Sequence, residues 1–318
     1  MVDSTVIKGP LRNENVPRRK PRIENLKYTF KLFLKNRIAF VGFVIVMIYA
    51  IITIMDYVYP AYLGVKNINT ATSWIVTIKA AGLPAGPTLS KGWWYIFGET
   101  RDYIPIFPVM LAALKVDITY SVAIVAVGAS SGIVLGVLSG YFGKLYDEVL
   151  MRVTDIFFSI PTLIMAIAIT SVLGFSIQYV VIALMIIWWP IYARLTRGLA
   201  LSVKSNKFVE AATASGSSGV RNVFVHVLPN VLSPVFVQFS LDLGTIVQVF
   251  AALDFIGFNK GNPYLPELGN MLTWGETYLS FGAWWPIVIP GIFLLIFTVS
   301  VNLMGDGLRD VLDPKLRR

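Results

Sequence analysis

The sequence contains no cysteine and a single histidine, His226, among its 318 residues. Without cysteine there is no disulfide framework, no thiol catalysis and no cysteine-ligated zinc or iron, and one histidine leaves no cluster for a transition-metal site. We therefore predict that the chain holds neither a metal ion nor a cofactor of its own. A nucleophile and base pair cannot be assembled around this histidine either, so an enzyme is the least favoured class of protein.

Charged residues are scarce as well. Asp, Glu, Lys and Arg make up 14% of the chain, whereas a soluble domain has about 25%. Hydrophobic residues make up 56%, and the mean hydropathy is +0.68. This composition predicts a protein embedded in lipid. The net charge of +9 therefore does not indicate a nucleic-acid partner; it raises the question of which side of the membrane the basic residues face.

Six apolar stretches are long enough to cross a membrane, because a bilayer core of about 30 Å takes roughly 20 helical residues. The second stretch is rich in glycine and alanine, which permits close helix packing. The third contains Pro161, and in the fourth we expect a break at Trp188, Trp189 and Pro190. The predicted fold class is an all-α membrane protein with six transmembrane helices, at residues 38–55, 118–141, 156–173, 177–193, 231–253 and 284–303.

Basic residues predict the orientation of these helices. The first stretch is longer than the apolar core of a secretory signal, so we expect it to be retained. If the N-terminus is cytoplasmic, 21 of the 27 Lys and Arg residues fall on the cytoplasmic side and six on the other. Since cytoplasmic loops carry the excess of basic residues, both termini are predicted to be cytoplasmic in a multi-pass protein of the cell membrane.

The same pattern divides the chain into five parts. The longest cytoplasmic loop, residues 194–230, lies within the fourth of them. The parts are a basic N-terminal arm (1–37), the first transmembrane helix (38–55), an extracytoplasmic segment (56–117), a five-helix core (118–303) and a cytoplasmic tail (304–318).

The longest cytoplasmic loop has its own helical pattern. Residues 207–214 are good helix formers, Gly216 and Gly219 break the helix, residues 220–228 resume apolar periodicity, and Pro229 is predicted to end a second helix. Two short helices joined by a glycine turn would then project from the basic side. From the pattern alone, this hairpin either serves a function or simply connects two spans, and the two interpretations are equally favoured.

One string in this loop resembles a known motif. Glu210-Ala211-Ala212, three residues, Gly216, nine residues, His226, one residue and Leu228-Pro229 resembles the EAA loop of permease subunits of ATP-binding cassette importers. HVLPN is similar to the variant in the dipeptide and oligopeptide branch. Three further stretches resemble the C-type subunits of peptide or nickel importers. They are GYFGKLYDEVLMRVTDIFFSIPTLIMAIAI from Gly140, LPELGNML from Leu265 and NLMGDGLRDVLDPKLR from Asn302.

The resemblance implies a role for the loop and a set of partners. The helix from Glu210 to Gly216 would dock on a cytoplasmic ATPase, and Ala211, Ala212, His226, Leu228 and Pro229 would belong to the same coupling element. The implied partners are a second permease subunit forming a heterodimer, two ATPase subunits that bind ATP and Mg, an extracytoplasmic solute-binding protein, and membrane lipid. The chain itself has no GxxxxGK[ST] stretch with which to hold nucleotide phosphates.

The fifth predicted span carries polar residues that need an explanation. Gln238, Asp242 and Thr245 fall on one helical face, and Asp242 is the only acid well inside any predicted span. Either this face lines the solute path, with Asp242 attracting a cationic group such as a peptide amino terminus, or Asp242 makes a helix contact worth about 1 kcal/mol or less. The sequence leaves both interpretations open.

Two other classes of membrane protein are less favoured. A secondary transporter would share the spans and the acid, but such folds show paired repeats, and no internal duplication is visible here. A channel would carry a selectivity-filter string or an acidic ring, and this sequence has neither. An importer permease is predicted, with its solute open between peptides, oligosaccharides and nickel complexes.

Overall fold

The structure, a computed structural model, describes residues 32–58, 83–100, 105–258 and 266–312. The N-terminal arm up to residue 31, residues 59–82 and 101–104 of the predicted extracytoplasmic segment, residues 259–265 and the end of the tail lie outside the described residues. The described residues form ten α-helices: α1 (Arg37–Val58), α2 (Ile106–Phe142), α3 (Lys144–Ser159), α4 (Thr162–Leu173), α5 (Ile177–Lys204), α6 (Lys207–Ala214), α7 (Gly219–Asn222), α8 (Leu228–Phe255), α9 (Leu268–Leu279) and α10 (Trp285–Leu312).

Five helical segments are long and apolar enough to cross a membrane: α1, α2, α5, the continuous helix from Gly219 to Phe255 that contains α7 and α8, and α10. The predicted third span, 156–173, is not a straight helix. It is divided between α3 and α4, which meet at an angle of 91°. Pro161 explains the break, because a proline excludes the residue before it from helical geometry, and Ile160 is accordingly extended. The chain thus has five straight candidate spans, and a sixth if the bent pair counts as one.

Two other helix boundaries differ from the prediction. Helix α2 begins at Ile106, twelve residues before the predicted start at 118, so the end of the predicted extracytoplasmic segment is helical. Lys115 and Asp117 interrupt the apolar run there without interrupting the helix. The expected break at Pro190 is also absent, because α5 continues through this buried proline to Lys204. Prolines are tolerated within membrane helices where neighbouring helices support the backbone.

Helices α2 and α5 form the centre of the fold, and they run parallel. Gly128 of α2 lies against Trp188 of α5, and Gly140 lies against Arg197 further along. A Cβ on Gly140 would be 2.6 Å from the Arg197 carbonyl oxygen, so glycine is what permits this close approach. Because residue numbers rise together on both helices, the chain between Phe142 and Ile177 returns to the N-terminal half of α2. Helices α3 and α4 make this return.

Helix α10 packs antiparallel against α1 and α8. Gly42 of α1 lies against Leu303, while the Tyr49 hydroxyl, two turns later, donates a hydrogen bond of 3.0 Å to the Phe293 carbonyl. Gly305 likewise lies against Leu241 of α8. A separate apolar cluster joins the start of α2 to α9 and α10, so the opposite end of the molecule from the 205–227 loop has a small core of its own.

Candidate functional site

The loop between α5 and α8 begins with the short helix that the sequence predicts. Helix α6 spans Lys207–Ala214 and ends in a Schellman turn. The amide of Ser217 donates to the Ala212 carbonyl, and that of Gly216 to the Thr213 carbonyl, both at 3.0 Å. Gly216 has a φ of +85°, which glycine adopts at least cost. The predicted role of Gly216 as a turn residue is confirmed.

The second half of the loop differs from the prediction. Pro229 does not end a helix; it lies in the first turn of α8, where a missing N–H is tolerated. Before it come the single turn α7 and a five-residue π-helical segment, Val223–Val227, which contains His226. The helix that leaves the loop is therefore continuous with a membrane span, and π-helical turns of this kind are frequent at functional sites.

The seven predicted loop residues lie around one accessible element. Glu210, Ala211, Gly216 and Pro229 are exposed, whereas Ala212, His226 and Leu228 are half-buried. Glu210 is in the first turn of α6, where a carboxylate interacts favourably with the helix dipole. The loop also exposes large apolar side chains, those of Phe208, Val220, Phe224 and Val225. An exposed carboxylate beside exposed apolar groups is suited to contact with another protein.

Polar contacts join the end of α5, just before this loop, to α2 and α3. Arg197 of α5 donates two hydrogen bonds to Asp147 of α3, at 2.5 and 2.7 Å. Arg194 also pairs with Asp155 across the two helices, through a single hydrogen bond. Lys204 donates to the Tyr141 carbonyl at 2.6 Å. Sequence reasoning missed these pairs, because the partners are 39 to 63 residues apart and no local pattern links them.

The three polar residues predicted to share a face of the fifth span do line one groove. It has a volume of about 370 Å³ between α8, α5 and the α3–α4 bend, and Gln238, Asp242 and Thr245 contribute to its wall together with Phe158 and Trp188. The Gln238 amide donates to Asp242 Oδ1 at 2.8 Å. Asp242 is 4% exposed, and its Oδ2 makes no hydrogen bond with any described residue.

Asp242 is not the only acid within a helix that is able to cross the membrane. Asp117 lies twelve residues into α2, and Asp254 lies near the end of α8; both are buried. Together with the buried Glu267 they form an acidic cluster, in which the Leu268 amide donates to Asp117 at 3.3 Å. The predicted span began one residue after Asp117, where the apolar run starts, whereas the helix begins at Ile106 and includes it. Within the described residues, no group of His, Asp or Glu side chains is arranged to hold a metal ion.

This architecture defines the chain as a helical integral membrane protein with a structured loop on its basic side. Residues 132–318, more than half of the chain, match the family described as binding-protein-dependent transport system inner membrane component. The chain belongs to this family and is a permease subunit of an ATP-binding cassette importer.

Named relatives cover most of the chain. It is 33% identical over 288 residues to the dipeptide transport system permease protein of Alkalihalophilus pseudofirmus, covering 91% of this chain and 89% of that protein. It is 31% identical to the protein of the same description in Haemophilus influenzae, covering 90% and 93%. A glutathione transport system permease protein of Pectobacterium atrosepticum is 33% identical, with coverage of 74% and 76%.

Proposed function

We propose that this permease subunit imports peptides. The observation that carries the proposal is the similarity over nine-tenths of the chain to relatives described as dipeptide transport permeases. The groove beside Asp242 supports it, since a carboxylate among neutral groups suits a solute with an ammonium group. Oligosaccharides and nickel complexes are the alternative solutes.

The chain crosses the membrane six times in this proposal, with α3 and α4 forming one broken crossing. The parallel packing of α2 and α5 supports this count, because two parallel spans need a return crossing between them. Six crossings leave both termini on the side that holds 21 of the 27 basic residues, which is the cytoplasmic side of the cell membrane.

The loop 205–227 is the docking element for a cytoplasmic ATPase. Helix α6 would enter a groove of the partner with Glu210 directed at a basic side chain, and the small residues Ala211 and Ala212 would allow close approach. The complex would comprise this chain, a second permease subunit, two ATPase subunits that bind ATP and Mg, and an extracytoplasmic solute-binding protein.

The groove lined by Gln238, Asp242 and Thr245 would form part of the solute path between the two permease subunits. Its position between α8 and the bend of α3 and α4 supports this role, because a change in the angle between α3 and α4 would alter the width of the groove. The second candidate role for Asp242 is a contact between α8 and α5. Its burial and its position next to the Tyr192 hydroxyl favour that role.

Uptake by the reconstituted complex tests the proposed function. The chain would be produced with its second permease, ATPase and solute-binding protein and placed in lipid vesicles. We expect labelled dialanine to accumulate only when ATP is supplied and the ATPase is present. Uptake that persists without the ATPase would indicate a secondary transporter. Uptake of nickel or an oligosaccharide but not of dialanine would contradict the peptide assignment.

A further inference from the structure

A buried asparagine joins the docking loop to the membrane helices. The side chain of Asn222 is fully buried, with 0% exposure. Its amide nitrogen donates one hydrogen bond to Thr213 Oγ1 of α6 at 3.0 Å and another to the Tyr141 hydroxyl of α2 at 3.1 Å. Both amide protons are therefore used, and a single side chain connects the short helix α6 to the end of the long helix α2.

Helix α6 needs such an anchor. It has eight residues, and a helix of this length is marginal in water by itself. Val209 is the buried residue of this helix, and the hydroxyl of Thr213, one turn later, donates to the Val209 carbonyl at 2.9 Å. Glu210 is exposed. The bond from Asn222 to Thr213 thus sets the rotation of α6 about its axis, and with it the direction of Glu210.

Tyr141, at the other end of this hydrogen-bonded connection, is held by contacts with α5 and α7. Lys204 of α5 donates to the Tyr141 carbonyl and lies 5.4 Å from the centre of the Tyr141 ring. Gly219, at the start of α7, packs so closely on Tyr141 and Phe142 that a Cβ there would lie 3.2 to 3.3 Å from their rings. A displacement of α6 would consequently be passed through Asn222 to Tyr141, and from there to α2 and α5.

We propose that Asn222 is the positioning residue of the docking loop, holding α6 rigidly on the end of α2 so that movement of a docked ATPase reaches the parallel pair α2 and α5. This role rests on the proposed function of the loop. Asn222 itself would touch neither ATPase nor solute, because it is completely buried. Its removal should leave docking in place and weaken the link between ATP hydrolysis and transport.

The experiment uses the full complex in vesicles, with dialanine as the transported probe. The variants are Asn222→Ala, Thr213→Val, Tyr141→Phe and the double variant Asn222→Ala/Thr213→Val. Ser280→Ala is the control, since Ser280 is an exposed polar residue at the end of α9, outside the docking loop. For each complex, two quantities are measured: the ATPase that co-purifies, and the ATP hydrolysed per dialanine imported.

We expect every variant to retain ATPase to within about twofold. Asn222→Ala should raise the ATP hydrolysed per dialanine by at least about fivefold, the factor that corresponds to one lost hydrogen bond, because it removes two. Tyr141→Phe and Thr213→Val should raise the ATP hydrolysed per dialanine less than Asn222→Ala does. The double variant should raise it no further than Asn222→Ala, because Asn222 and Thr213 act through the same connection. Ser280→Ala should match the wild type.

Three results would overturn the role of Asn222. One is an unchanged ATP-to-dialanine ratio in the Asn222→Ala complex. Another is a loss of bound ATPase in proportion to the loss of uptake, which would mean that Asn222 only maintains the fold of the loop. The third concerns the case in which Asn222→Ala does not fold. A wild-type ratio of ATP to dialanine in the Tyr141→Phe complex would then overturn the role. By contrast, a wild-type complex that shows no ATP-dependent uptake would contradict the proposed function itself.

Discussion

Two carboxylates, Glu210 and Asp242, illustrate how burial determines what a side chain can do. Glu210 is exposed on an eight-residue helix, so an approaching protein can reach it. Asp242 is almost fully buried and accepts a hydrogen bond from Gln238 of the same helix. Its charge would therefore attract a solute in the groove from a distance rather than by direct contact. A charge in such a low-dielectric wall exerts a stronger field than one in water.

Reversing the charge at Glu210 should weaken docking. In Glu210→Lys the carboxylate that would pair with a basic group of the ATPase is replaced by an ammonium group, and a misplaced like charge at an interface costs several kcal/mol. We expect ATPase binding to fall at least about tenfold in titrations with the purified permease. The control is Glu148→Lys on α3, an exposed acid whose pairing with Arg152 at 3.9 Å is worth little. Equal binding by both variants would contradict docking through Glu210.

Neutralising Asp242 should alter solute preference. Asparagine has nearly the same volume and keeps the hydrogen bonding to Gln238, so Asp242→Asn should leave the fold and assembly intact. Losing about 1 kcal/mol of attraction should lower the uptake of lysyl-lysine relative to dialanine by about fivefold. The two labelled peptides are compared in one vesicle preparation. A reduced yield of complex with an unchanged ratio would instead support the helix-contact role.

Helices were predictable where one local signal dominates, and not where the decisive contact is distant. The apolar runs predicted every straight span, and the helix formers before Gly216 predicted α6 with its bounds. The start of α2 was missed because Lys115 and Asp117 end the apolar run, although the helix is held there by the buried cluster around Ile106 and Met110. The continuation of α5 through Pro190 likewise depends on packing against α2. Asn222 could not be found from sequence, since its partners, Thr213 and Tyr141, are 9 and 81 residues away.

The contact between α2 and α5 should be sensitive to a single added methyl group. A Cβ on Gly136 would clash with the Ala193 carbonyl and the Thr196 hydroxyl, whereas one on Gly198 of α5 would meet nothing within 4 Å. We expect Gly136→Ala to destabilise the protein by about 1 to 3 kcal/mol through overpacking. Gly198→Ala should be neutral or stabilising, because alanine is the better helix former. Thermal unfolding in detergent compares the two. Equal stability would contradict the close approach.

At the level of the whole molecule, one small element determines the topology. The pair α3 and α4 has 28 residues in its two helices, enough for one crossing, but the 91° bend at Pro161 divides them. Helix α3 carries five charged residues, which favour a position at the membrane surface, whereas α4 is uncharged. The five are Lys144, Asp147, Glu148, Arg152 and Asp155. If α4 and the end of α3 complete a crossing, both termini lie on one side. If they do not, the termini lie on opposite sides.

The absence of native cysteine makes this choice directly measurable, because single cysteines can be introduced and labelled with a maleimide that does not cross membranes. Ser176→Cys reports the connection between α4 and α5, Ser215→Cys the loop after α6, and Arg318→Cys the C-terminus. Six crossings predict that, in intact cells, Ser176→Cys is labelled from outside, while the other two are labelled only after the membrane is opened. Labelling of Ser176→Cys only in opened cells, with Ser215→Cys and Arg318→Cys labelled from outside, would mean that the chain between α2 and α5 does not cross. That result would conflict with the parallel packing of Gly128 and Gly140 against α5, since two parallel spans cannot be joined from one side of the membrane.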